Sequence, residues 1–247
     1  MYNYYMKKLA IVIPSHNPNE QCYENILNYL SLKLVDNVIY VVNNNSDENE
    51  YINKLKSHSE IIVKDSVYNG AFEAGALLQA YNEIDAENYL LIQDSIKLNK
   101  TEEINYYCKY VDNFVLAFSL LYPIGFQIND EIKKYILDFN YKFNYDFFEL
   151  FGIQFCTFAA KKSHISSLVN SGILIEENLP KTKTHCEAWE RIFGLGFFNN
   201  NILMKGFDIQ ATEEDAKNYA PYTKSHTLNI SLTKYNEKYQ KYYLART

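Results

Sequence analysis

Apolar residues in the first hundred positions fall in short unbroken runs, separated by stretches whose apolar residues recur at helical spacing. The runs are Leu9 to Pro14, Asn37 to Val42, Glu60 to Val63 and Tyr89 to Gln93. A short continuous run of this kind suits a strand buried on both faces of a parallel sheet. Between the runs, Asn19 to Leu32, Asp47 to Lys56 and Gly70 to Ile84 carry the helical pattern. Strand and helix alternating through short connections predict a parallel sheet with crossover helices. The turns that follow the strands then collect along one edge of the sheet, where ligands bind in open α/β folds.

Past Leu98 the rhythm loosens. Thr101 to Val111 reads as helix, Phe114 to Leu120 as strand and Ile128 to Leu137 as helix, and Gln154 to Ala160 reads as a strand feeding a helix through Ile165 to Val169. Leu179 to Thr184, with Pro180 and several polar residues, has the composition of a mobile loop. A helix over His185 to Phe193 follows, then a polar turn at Asn199 to Asn201, and the Tyr- and Lys-rich stretch Thr233 to Arg246 reads as an appendage. No internal repeat and no long linker interrupts the chain. The expectation is one α/β domain over residues 1–215 with a small extension over 216–247.

Composition narrows the classes. A chain of 247 residues with 47% hydrophobic content can bury one large core. A net charge of −6 and an isoelectric point near 5.4 argue against a nucleic-acid partner, which calls for a basic face. Cys22, Cys108, Cys156 and Cys186 have no CxxC spacing and lie in apolar segments, so they read as reduced core residues rather than a metal knot. No run approaches the roughly 20 apolar residues needed to cross a bilayer, which leaves only peripheral membrane contact. Leu9 to Ile13 is too short for a secretory core, so no signal peptide and a cytoplasmic location are expected. The 23 tyrosines and the excess of Lys over Arg match an AT-rich bacterial genome.

The candidate chemistry lies in the turns. Val12 to Asn17 (VIPSHN) and Val41 to Asn49 (VVNNNSDEN) place small polar groups at strand ends, and neither is a phosphate-binding glycine loop. No GxGxxG follows the first strand, no GxxxxGK[ST] occurs, and Gly194-Leu195-Gly196 is expected to fall after a helix. Tyr68-Asn69-Gly70 opens a helix with Ala71, Ala74, Gly75 and Ala76 along it, which suits either an anion at the helix start or close packing on the sheet. In Asn88 to Leu98 (NYLLIQDSIKL) an apolar run leads straight into Gln93-Asp94-Ser95. Asp94 at the carboxyl end of a buried strand is placed either to hold a divalent cation against a diphosphate or to cap a turn.

Taken in order, these motifs resemble those of the glycosyltransferases of the A-type fold (GT-A), family 2 in particular. Val12 to Asn17 is similar to that family's first turn and Val41 to Asp47 to its second; Asn69, Gly70 and Ala74 resemble its helix start, and Gln93-Asp94-Ser95 its D-x-D motif. The resemblance covers about residues 8 to 100 well and the rest thinly. It implies a GT-A-like, Rossmann-type, mostly parallel sheet flanked by helices, with a nucleotide-binding half over about 8–100 and an acceptor half over 101–215. It implies a nucleotide-sugar site at Pro14, Ser15, Asn17, Asn43, Asn45, Asn69, Gly70, Gln93, Asp94 and Ser95, with Mn²⁺ or Mg²⁺ on Asp94. Two departures stand out: Asn43 replaces the family's base-recognising Asp, and the metal motif keeps one carboxylate. His226 in the late segment Lys224 to Thr227 would supply a second ligand by the same resemblance.

Inverting members use an acidic base near the start of a helix after the acceptor loop. Glu187 resembles it by position and Glu190 is the substitute. Thr184 and Glu187 also satisfy an S/T-x-x-E capping box, which requires no catalysis. Trp189, the only Trp, reads as either a sugar platform or core. The implied activity is inverting, metal-dependent transfer of a sugar from a nucleoside diphosphate to a glycan or glycolipid acceptor in bacterial surface polysaccharide or lipooligosaccharide synthesis, at the inner face of the membrane. The alternatives are sugar-phosphate nucleotidyl transfer, whose basic glycine loop Pro14 to Glu20 lacks, and a degenerate, non-catalytic nucleotide- or glycan-binding protein.

Overall fold

The structure, a computed structural model, describes residues 9–31, 37–46, 49–98, 111, 114–117, 120–121, 130–143, 152–153, 156–202, 204–206 and 239–241. The elements in chain order are β1 (Leu9–Ser15), α1 (Glu20–Ser31), β2 (Asn37–Asn43), α2 (Glu50–Lys56), β3 (Ile61–Asp65), α3 (Phe72–Glu83), β4 (Asn88–Leu91) and β5 (Ile96–Leu98). Then come β6 (Val115–Ala117), β7 (Leu120–Leu121), α4 (Asp130–Phe143), β8 (Gly152–Ile153), β9 (Phe158–Lys161), α5 (Lys162–Asn170), α6 (Lys183–Asn199), β10 (Met204–Gly206) and β11 (Tyr239–Lys241). The predicted helix over Thr101 to Val111 lies, but for Val111, outside the described residues.

Seven strands form one sheet in the order β10-β6-β9-β4-β1-β2-β3. All pair in parallel except β9, which runs antiparallel to both β4 and β6. This is the mostly parallel α/β sheet flanked by helices that was expected. Because β4 pairs with β9, the two expected halves share a single sheet. The reversal of β9 also brings its amino end, Cys156 and Thr157, to the edge where β1 to β4 end, since Leu91 faces Phe158.

Every residue of β1 is buried, as a central strand covered on both faces requires. Successive side chains point to opposite faces and split the core in two. Ala10 and Val12 join the layer under α3 and α6 with Trp189, Phe193 and Phe197, whereas Leu9, Ile11 and Ile13 join the layer under α1 and α2 with Ile26, Tyr29 and Leu55. Trp189 is fully buried, with edge-on contacts to Phe139 (6.1 Å) and Phe193 (5.1 Å), so it is core and not a sugar platform.

Several expectations are corrected. Helix α6 runs to Asn199, so Gly194 and Gly196 lie inside it; a Cβ at Gly196 would come within 2.7 Å of Leu168 Cδ2, and close packing explains the glycine. The segment over Leu179 to Thr184 begins buried at Leu179 and Pro180 and ends as the cap of α6, so it is pinned at both ends. Within the extension, β11 pairs antiparallel with β5, the strand just after Asp94.

Candidate functional site

The site edge is built by four parallel strands ending side by side. Ser15 of β1 lies opposite Asn43 of β2, and Asn43 lies opposite Asp65 of β3. The ladder continues past the strands: Asn44 N–H donates to Ser15 O (2.7 Å), Ser66 N–H to Asn43 O (2.9 Å) and Ile92 N–H to Val12 O (3.0 Å). The first two turns are then tied together by Asn17 N–H donating to Ser46 Oγ (2.6 Å) and by His16 Nδ1 donating to Asn44 O (2.5 Å). Asn17 and Asn45 both have positive φ, 46° and 55°, a backbone that Asn tolerates better than most residues.

Asp94 is fully buried, three residues beyond the end of β4. Ser15 Oγ donates to its Oδ2 at 2.8 Å, closing a contact between residues far apart in the chain. Helix α1 holds the backbone here, with Asn25 Nδ2 donating to Asp94 O (3.0 Å) and Tyr29 Oη to Ile96 O (2.9 Å). Gln93 Nε2 donates to Glu73 Oε1 (2.7 Å) in the first turn of α3. Glu73 is a residue that the sequence reading missed; its place three residues after Gly70 was the available signal.

The start of α3 is covered by the start of α6. Gly70 adopts φ 75°, and a Cβ there would sit 3.3 Å from Lys181 O. Cys186 Sγ–H donates to Gly70 O (3.4 Å). Asn69 is joined to Asn45 by a side-chain hydrogen bond. Phe72, at φ 35°, meets His16 edge-on at 5.7 Å, an uncommon backbone for a bulky residue and a mark of local constraint at this edge. Burial, and then the charges of Glu73 and Glu187, push the Cys186 thiol up; burial, and then Glu73 and Glu190, do the same to Cys156. Acidic side chains from α3 and α6 thus share one neighbourhood at the amino end of β9.

Helix α6 is capped by Thr182, whose Oγ1 accepts from His185 N–H (3.2 Å), so Thr184 and Glu187 form no capping box. His185 stacks on Tyr135 of α4 at 3.9 Å. Glu187 is exposed on the first turns of α6, whereas Glu190 is mostly buried and paired with Arg191 Nη1 at 3.1 Å. A base needs a carboxylate open to substrate, which favours Glu187 of the two.

Pro14, Ser15, Asn17, Asn43, Asn45, Asn69, Gly70, Gln93, Asp94 and Ser95 all lie at this edge or on the turns tied to it. His226 and Asp47 lie outside the described residues. Among the described residues no three His, Cys, Asp or Glu side chains gather as a metal cage. A cation held mainly by phosphate oxygens needs only one or two carboxylates, and Asp94 is a carboxylate at this edge whose Oδ2 the Ser15 hydroxyl already engages. No helix among the described residues is long and apolar enough to cross a membrane.

No family model and no curated protein matches the chain. Solved structures similar to it include TarS of S. aureus (12% identity, TM-score 0.49, covering 81% of this chain and 35% of that one). Mannosyl-3-phosphoglycerate synthase from Rubrobacter xylanophilus is similar at 15% identity and TM-score 0.44, over 65% of this chain and 56% of that one. Glucosyl-3-phosphoglycerate synthase from Mycobacterium tuberculosis, solved with Mn²⁺, UDP-glucose and phosphoglyceric acid, is similar at 13% identity and TM-score 0.43, over 65% and 59%. The chain spans about a third to three fifths of the length of these structures.

Proposed function

We propose that the chain transfers a glycosyl group from a nucleoside-diphosphate sugar to a hydroxyl of a glycan or glycolipid acceptor. The observation that carries the reading is the meeting at one sheet edge of two polar turns and the Ser15–Asp94 pair, with the start of α6, which carries Glu187, held on Gly70 by Cys186. The nucleotide would lie over the ends of β1, β2 and β4. Glu187 would take the proton of the acceptor hydroxyl as its oxygen bonds to the anomeric carbon. The bond from that carbon to the diphosphate breaks on the opposite face, and its electron pair leaves with the diphosphate, giving inversion. A bound Mn²⁺ or Mg²⁺, with Asp94 as a ligand and His226 as the expected second one, would neutralise charge on the leaving group. Surface polysaccharide or lipooligosaccharide assembly at the inner face of a bacterial membrane fits that chemistry.

The test is a thermal-shift screen of nucleoside diphosphates with and without Mn²⁺, followed by donor hydrolysis. A ligand that binds the native state raises its melting temperature by mass action. Glu187→Gln should keep that shift and cut turnover by on the order of a hundredfold or more. If no nucleoside diphosphate moves the melting temperature, the reading is wrong; binding without turnover on any donor would favour a non-catalytic member.

A further inference from the structure

We infer that Asp65 selects the nucleobase, accepting a hydrogen bond from a protonated ring nitrogen, and that Asn43 acts by positioning it. The inference rests on the nucleotide-sugar reading above and deepens it.

The amide of Asn43 is 7% exposed, and both of its ends are used within the protein. Its Oδ1 accepts from Ser46 N–H at 3.1 Å and its Nδ2 donates to Asp65 Oδ1 at 2.9 Å. A base arriving at the end of β2 therefore meets a buried amide whose oxygen and nitrogen are each already engaged within the protein. The next strand offers the carboxylate. The Asp65 side chain is 73% exposed, and its hydrogen bond to Asn43 engages Oδ1. Lys56 Nζ is 3.9 Å from the same Oδ1, a contact between open side chains that water screens.

An ordinary surface aspartate gains little from being held rigidly, yet this one is held at both ends. Besides the Asn43 bond, the carbonyl of Asp65 accepts from Nε2 of Gln79 (3.1 Å), and Gln79 is 2% exposed. The same amide accepts at Oε1 from Val67 N–H at 3.1 Å, fixing the chain on the other side. One buried amide thus holds the open carboxylate and another the backbone that carries it, which is how a recognition group is preorganised. The spacing also suits the ligand. Asp94, Ser15, Asn43 and Asp65 mark the ends of four adjacent strands, and three strand spacings amount to about 14 Å. That is of the order of an extended nucleoside diphosphate, with the phosphates at Asp94 and the base at Asp65.

A carboxylate is an acceptor only, so it favours bases whose ring nitrogen carries a hydrogen. Uracil, thymine and guanine have one; cytosine and adenine present a lone pair there. Binding of UDP, GDP, CDP and ADP should be measured by calorimetry on the wild-type chain, Asp65→Ala and Asp65→Asn, with melting temperatures as the check on folding. The wild type should prefer UDP or GDP. Asp65→Ala should lose tenfold or more on the preferred nucleotide and little on CDP. Asp65→Asn, which can donate, should narrow the gap to CDP, a change of preference that a merely structural role would not produce. The UDP and GDP arms separate an imide from a lactam as the group read. Binding that is unchanged in both variants, or a wild-type preference for CDP or ADP, overturns the inference and leaves the nucleotide reading standing. If none of the four binds the wild type, both fail.

Discussion

Replacing Ser15 with alanine removes the hydroxyl that donates to Asp94 Oδ2 at 2.8 Å, between two side chains that are both buried. Hydrogen bonds to charged groups contribute about 1.5–3 kcal/mol. Ser15→Ala should therefore cost about 2 kcal/mol. At 2–4 °C per kcal/mol for a chain of this size, the melting temperature should fall by about 4–8 °C. Urea unfolding of wild type, Ser15→Ala, Asp94→Asn and the double variant closes a thermodynamic cycle. In the Asp94→Asn background the bond is between neutral groups, so Ser15→Ala should cost only about 1 kcal/mol there. The slope of the unfolding free energy on urea should stay constant, showing that stability rather than compactness has changed. Equal costs in the two backgrounds, or a cost below about 0.5 kcal/mol in the wild type, would mean that the Ser15–Asp94 pair does not hold this edge together.

Three further outcomes follow from the packing. Burial raises the phenols of Tyr40 and Tyr89, with Glu83 adding to the effect at Tyr40. Their contribution to stability is fully present below the unfolded value near 10 and is lost as pH rises from there through the raised folded values, so the urea midpoint should begin to drop near pH 10 and keep dropping above it, and drop less in Tyr40→Phe; a flat profile above pH 10 contradicts this. Cys156 is buried with its thiol pushed up, so iodoacetamide at pH 8 should leave its peptide unmodified in the native protein and label it in urea, and rapid native labelling counts against the packing described. Gly70→Ala puts a Cβ at φ 75° and 3.3 Å from Lys181 O, which should cost about 1–2 kcal/mol; an unchanged melting temperature would show that the α3 and α6 starts are not in contact.

The strand and helix alternation up to Asn88 was legible because buried parallel strands carry their own signal, and Asp94 fell at the expected edge. Direction was not legible in β9: nothing in Phe158 to Lys161 marks the reversal that brings Cys156 to the site. The start of α6 was misplaced because Thr182 and Thr184 are equally good caps by type, and only Thr182 has the extended backbone, φ −137° and ψ 162°, that a cap requires. Gly194 and Gly196 suggested a break by propensity, while the neighbouring side chains demanded the missing Cβ at Gly196. The Ser15 to Asp94 bond and the Asn43 to Asp65 bond join residues 79 and 22 positions apart, a pairing that only the assembled sheet reveals.

Strand β3 ends the order of the seven-stranded sheet and pairs only with β2 among the described strands. Its outer row of backbone groups is a template on which another chain could add, and Ile62 is exposed upon it. Five residues of length and the charges of Lys64 and Asp65 discourage such addition, in the way soluble proteins blunt open edges. A colloidal cost therefore accompanies any neutral substitution at Asp65: the edge keeps its hydrogen-bonding row but loses one of the charges that keep copies of the chain apart in concentrated solution.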